Sequence, residues 1–154
     1  MKVILAVDPG KKSGIASFTY VKGEAPELVD SGEYMFEDYH GPILNTLRNA
    51  RIFEAEIAIV CERFTINAQT VKNSQAPYSL EQIGILKYLV NSEGFDADKI
   101  VFQSPSDAKR MFPNDALKKL GYWHKGGEGH ALDAMRHGLL YSVKNGWVPR
   151  KLVE

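Results

Sequence analysis

The sequence predicts an α/β protein: a five-stranded mixed sheet flanked by helices, in the order βββ-α-β-α-β-α. Three observations carry that expectation. Val3, Ile4, Leu5, Ala6 and Val7 form an unbroken apolar run, too short for a globular helix and rich in β-branched residues, as in a strand buried on both faces. Ile57 to Cys61 repeats the pattern. Around and after it, apolar residues recur at helical spacing, so later strands are joined by helices, with the right-handed crossovers that parallel pairing needs.

The first strand stops on Asp8, because Pro9 lacks the N–H a strand requires and Gly10 permits the turn. Lys11-Lys12-Ser13-Gly14 leads into a second strand, Ile15–Val21, which forms a hairpin with the first. After the turn Gly23-Glu24-Ala25-Pro26, Leu28–Phe36 is a third strand with an interruption near Gly32, giving an antiparallel meander. Gly41-Pro42 opens a helix with Ile43, Leu44, Leu47 and Ala50 at helical spacing. The run Ile57–Cys61 ends on Glu62, the second strand to finish on a carboxylate.

Residues 63–77 are polar and read as a long loop carrying Arg63, Phe64 and Lys72, and a loop of that length in a compact domain is usually functional or mobile. Ser79 and Gln82 have the spacing of a capping box. The helix behind it carries one apolar stripe of Leu80, Ile83, Leu86 and Val90 and another of Ile85, Tyr88 and Leu89. The second stripe is either a partner surface or a sign of deep burial. Lys99–Gln103 is the fifth strand, Ser104-Pro105-Ser106 starts a short helix, and residues 117–127 are irregular. The last helix runs from about Glu128 to Asn145 and stops at Gly146.

The 154 residues are expected to form one domain, with apolar and charged fractions of 44% and 25% that are ordinary for a globular protein. No apolar run reaches membrane-spanning length, and the chain enters its first strand without a secretory signal. One cysteine, Cys61, excludes a thiolate metal cluster and fits a reducing cytoplasm. The formal net charge of zero weighs against nucleic-acid binding, but the charge is uneven. Glu24, Glu27, Asp30, Glu33, Glu37 and Asp38 make one region acidic, while Lys109, Arg110, Lys118, Lys119 and Lys125 make a later one basic.

The last helix carries His130 and Asp133 three residues apart, hence on one face, and Ala131, Ala134 and Gly138 are small enough to let it lie close on the sheet. Near a helix start the dipole favours the Asp133 anion and disfavours imidazolium, so His130 is expected neutral. His137 reads first as a packed side chain or a support for a ligand and second as a ligand itself, and His124 as a phosphate contact or a solvated residue. Carboxylates with one imidazole suit Mg²⁺ or Mn²⁺, and a pair of such ions about 4 Å apart serves in-line displacement at phosphorus. Asp8, Glu62, His130 and Asp133 are the candidate quartet.

V-D-P-G-x-x-x-S-G at the start, I-V-C-E at the end of the fourth strand and G-H-A-L-D-A-M-R-H in the last helix resemble the RuvC Holliday junction resolvases of the ribonuclease H-like superfamily. The likeness spans essentially the whole chain and points to a divergent, phage-type member. It implies a metal-binding and catalytic quartet at Asp8, Glu62, His130 and Asp133, where many relatives have Asp in place of His130. It implies two Mg²⁺ ions, with Mn²⁺ as substitute, and a homodimer that nicks opposing strands of a four-way DNA junction symmetrically. Asp8 would bridge the ions. Phe64, one position earlier than the family's aromatic, is the candidate wedge into the junction. Arg63, Lys72, Lys109, Arg110, Lys118 and Lys125 are candidate phosphate contacts. The setting implied is the bacterial cytoplasm, for a host or a phage protein.

Other functions fit less well. Ribonuclease H proper carries its glutamate within a helix, whereas Glu62 closes a strand. An actin-like kinase needs two such domains, and a non-catalytic junction binder would have lost a carboxylate. A nuclease of broader taste, cutting flaps and forks, shares every one of these residues.

Overall fold

A computed structural model of the chain describes residues 1–72, 76–149 and 151. Five strands form one sheet in the order β3-β2-β1-β4-β5: β1 Lys2–Asp8, β2 Lys12–Tyr20, β3 Glu27–Met35, β4 Glu56–Glu62 and β5 Val101–Gln103. The first three make the antiparallel meander, and β4 and β5 add in parallel on the other side of β1. The mixed sheet expected from the sequence is the one observed. The irregularity expected near Gly32 lies earlier in β3, at Val29, which is left without a partner where Ser17 pairs with Asp30 and Phe18 with Leu28.

Helices cover both faces, which is why β1 reads as continuous apolar sequence rather than alternating. On one face Leu5, Val7, Ile15, Ile59 and Cys61 pack against Ile43 and Leu47 of α1 (His40–Ile52) and Leu86 and Val90 of α3 (Ala76–Ser92). On the other, Ile4, Phe18 and Val60 meet α4 (Pro105–Met111), α5 (Asn114–Lys119) and α6 (His130–Lys144) through Ala108, Leu117, Met135 and Leu139. The expected closeness of α6 is borne out: a Cβ on Gly138 would stand 2.8 Å from the Phe18 ring, and one on Gly14 of β2 would stand 1.9 Å from the His130 carbonyl oxygen.

Several local expectations are corrected. The segment expected as a loop over 63–77 contains α2 (Ala68–Lys72), started by Asn67, whose side chain accepts from the N–H groups of Gln69 and Thr70. Residues 73–75 of that loop lie outside the described residues. Ser79 does not cap α3, which is already under way at Ala76; its hydroxyl donates to the carbonyl of Pro9, tying α3 to the turn after β1. A short 3-10 turn at Ala97–Lys99 replaces the first part of the expected fifth strand. The stretch expected as irregular from 117 holds the end of α5, and α6 begins at His130 rather than Glu128.

Candidate metal centre

Side chains alternate across a strand, so Ile4, Ala6 and Asp8 of β1 share the face turned to α6, as do Ala58, Val60 and Glu62 of β4. The parallel register pairs Val7 with Cys61, which makes Asp8 and Glu62 the next pair at the strand ends. Helix α6 crosses that end of the sheet and presents Asp133 from its first turn. One carboxylate oxygen from each of Asp8, Glu62 and Asp133 lies within 4.8 Å of the others. Two strands and a helix thus deliver three anions to one point.

Each carboxylate is also met by a nitrogen from α6. His130 Nδ1 lies 3.0 Å from Asp8 Oδ2, Arg136 Nη1 donates to Asp133 Oδ1 at 2.7 Å, and His137 Nε2 lies 3.0 Å from Glu62 Oε2. Arg136 is itself held by the Phe112 carbonyl, at 2.7 Å, and by the Asn114 side chain. Lys109 Nζ approaches Asp133 Oδ2 to 3.7 Å. Burial pushes the Asp8 carboxyl up to about 6, with the His130 hydrogen bond opposing it and Glu62 and Asp133 adding to it. The Asp8 hydrogen bond raises His130 to about 9. The expectation of a neutral His130 is corrected: the Asp8 carboxylate at contact distance favours the protonated imidazole and outweighs the helix dipole, which is spread over the first turn.

The start of α6 has no side-chain cap of its own, since Gly129 occupies that position at φ 89°. Glu33 of β3 serves instead, its Oε1 accepting from the N–H groups of Glu128 at 2.7 Å and His130 at 3.0 Å. Glu128 in turn bonds Lys12, at 3.2 Å, and faces His130 Nε2 at 3.4 Å.

A cleft of about 580 Å³ opens on one side, lined by Glu62, His130, Phe64, Lys11, Lys12 and Ser79 among others. A second, of about 500 Å³, is lined by Asp133, Lys109, Asn114 and Arg136, and Glu128 borders both. Of the residues singled out in the sequence for DNA contact, Phe64 and Lys109 reach these clefts. Arg63 is exposed just beyond Glu62, and Lys72, Arg110 and Lys125 are exposed elsewhere; Arg110 bonds Asp107 at 3.0 Å. Lys118 lies over the Trp123 ring at 4.8 Å. The sequence reading overlooked Lys11, Lys12, Glu33, Gln103 and Arg136. The two lysines had a signal, since a tight turn after Asp8 must bring them beside it. Glu33 and Gln103 had none, because their partners lie far along the chain.

No protein-family model and no curated protein matches the sequence. Solved structures do. One of Thermus thermophilus RuvC in complex with a Holliday junction substrate superposes with a TM-score of 0.66 at 16% identity, over 95% of this chain and 97% of that one. This chain has the RuvC fold. A second structure of Thermus thermophilus RuvC gives 0.65 at 16% identity, covering 94% and 96%. A fowlpox virus resolvase in complex with Holliday junction DNA gives 0.52 at 13% identity, covering 90% and 97%. The RuvC fold, with its ribonuclease H-like sheet, is the architecture expected from the sequence.

Proposed function

We propose that this protein is a divalent-metal-dependent endonuclease that resolves four-way DNA junctions as a homodimer, by paired symmetric nicks. The observation that supports this most is the meeting of Asp8, Glu62 and Asp133 within 4.8 Å at the end of a RuvC-type sheet. Three carboxylates offer hard oxygen donors at close quarters, a set that fits Mg²⁺, with Mn²⁺ as substitute. Asp8, Glu62 and Asp133 would hold the ions. When bound there, the ions supply Lewis-acid polarisation of a phosphoryl oxygen and of water.

The chain's own residues do the rest. His130, whose Nδ1 lies 3.0 Å from Asp8 Oδ2 at the cleft, would position the attacking water for its approach to phosphorus. Lys11 and Lys12 on one side of the centre and Lys109 on the other track the phosphates of the strand to be cut. Phe64, half-buried in the first cleft, packs on a base beside the scissile phosphate.

The test is cleavage of a synthetic four-way junction with Mg²⁺, beside linear duplex, flap and RNA–DNA hybrid. Paired nicks on the junction that vanish in Asp8→Asn, while binding persists, are expected. Equal cutting of flaps would replace strict resolution with general branch cleavage, and normal cutting by Asp8→Asn would overturn the site.

A further inference from the structure

We infer that His137 and Gln103 form a clamp that fixes Glu62 in the orientation a divalent cation requires, His137 acting as a positioning residue and not as a ligand. This rests on the reading of the three carboxylates as a cation site.

His137 is 1% exposed, two turns along α6 from His130, and is closed off from any nucleic acid. Its two ring nitrogens are both engaged, Nε2 with Glu62 Oε2 and Nδ1 with the Gln103 side chain, each at 3.0 Å. A carboxylate only accepts, so Nε2 donates to Glu62. A carboxamide offers a donor and an acceptor, so Gln103 matches whichever state the second nitrogen takes. Gln103 is buried, and the β4–β5 register sets it directly beside Glu62. The strand that carries the ligand therefore has a neighbour that braces the ligand's partner from behind.

Glu62 needs this more than the other two carboxylates do. Asp133 is met by Arg136 and Lys109, and Asp8 is buried against His130. The Glu62 side chain is longer, is 21% exposed, and has His137 as its one hydrogen-bonding partner among the described residues. Facing two like charges within 4.8 Å, an unclamped Glu62 would turn out into the cleft. Holding Oε2 keeps it in place and leaves Oε1 open.

The experiment compares two polar replacements by Mn²⁺ titration, followed by electron paramagnetic resonance and calorimetry, with thermal melts alongside. In His137→Gln the side-chain amide nitrogen reaches about as far as Nε2 and can still bond Glu62. In His137→Asn it reaches only as far as Nδ1. Mn²⁺ affinity is expected within about threefold of wild type in the first and down about tenfold or more in the second, both being folded at the titration temperature. Should His137→Asn fail to fold, Gln103→Met withdraws the brace at similar volume and is expected to lower affinity by about threefold or more. Wild-type affinity in a folded His137→Asn, or in Gln103→Met where that variant takes its place, overturns the clamp. If the wild-type protein binds no Mn²⁺ that Asp8→Asn abolishes, the metal-site reading itself fails, which is a different result.

Discussion

Asp8 is held against its own chemistry. It is 6% exposed, beside two other carboxylates, and its one compensating contact among the described residues is His130. Both members of this pair titrate upward, Asp8 to about 6 and His130 to about 9. The folded protein thus binds both protons more tightly than the unfolded chain. The stabilisation is complete below the unfolded values and is lost as pH rises, first through about 6 and then through about 9. Thermal melts in chelator are expected to fall from pH 4 to pH 9, and Asp8→Asn to remove the lower part of that fall and most of the upper, since the Asp8 hydrogen bond is what raises His130. A melting temperature independent of pH over this range would contradict the pairing. Arg136 gives a second check, because its loss strands Asp133, the Phe112 carbonyl and Asn114 together. Arg136→Met is expected to cost about 3 kcal/mol in chemical denaturation.

At the scale of elements, the centre depends on how closely α6 lies on the hairpin of β1 and β2. Gly14→Ala would drive a methyl group into the His130 carbonyl, and α6 has to move as a whole. A loss of about 3 kcal/mol in stability is expected, together with weaker Mn²⁺ binding, since Asp133 moves with the helix. This contact was half legible in the sequence: the small residues Ala131, Ala134 and Gly138 announced a close helix, but nothing named Gly14 as the point of contact. The strands that end on Asp8 and Glu62 were readable because burial on both faces leaves a continuous apolar run and the carboxylate that ends it stands out. The helices α2 and α5 were not, since they bury little and their short polar sequences resemble loops. Ser79 misled for a related reason. A serine spaced for a cap within its own helix bonds the Pro9 carbonyl 70 residues away, and local spacing carries no trace of such a partner.

The whole molecule presents two surfaces that matter for assembly and substrate. Along α3, Leu80 and Tyr88 are 44% and 71% exposed, while Ile83, Ile85 and Leu89 pack in part on the core. In the proposed homodimer this exposed pair would meet the second copy. Tyr88→Asp is expected to convert dimer to monomer in sedimentation velocity with its melting temperature nearly unchanged, and an unchanged dimer would put the interface elsewhere. Two carboxylate centres in one dimer are what paired nicking requires. Its most direct measurement uses a supercoiled plasmid bearing an extruded cruciform, incubated with Mg²⁺. Two nicks made within one binding event yield linear plasmid as the first product, and Asp8→Asn yields none. Accumulation of nicked circles without linear product, or linearisation in chelator, would contradict a metal-dependent junction-resolving dimer.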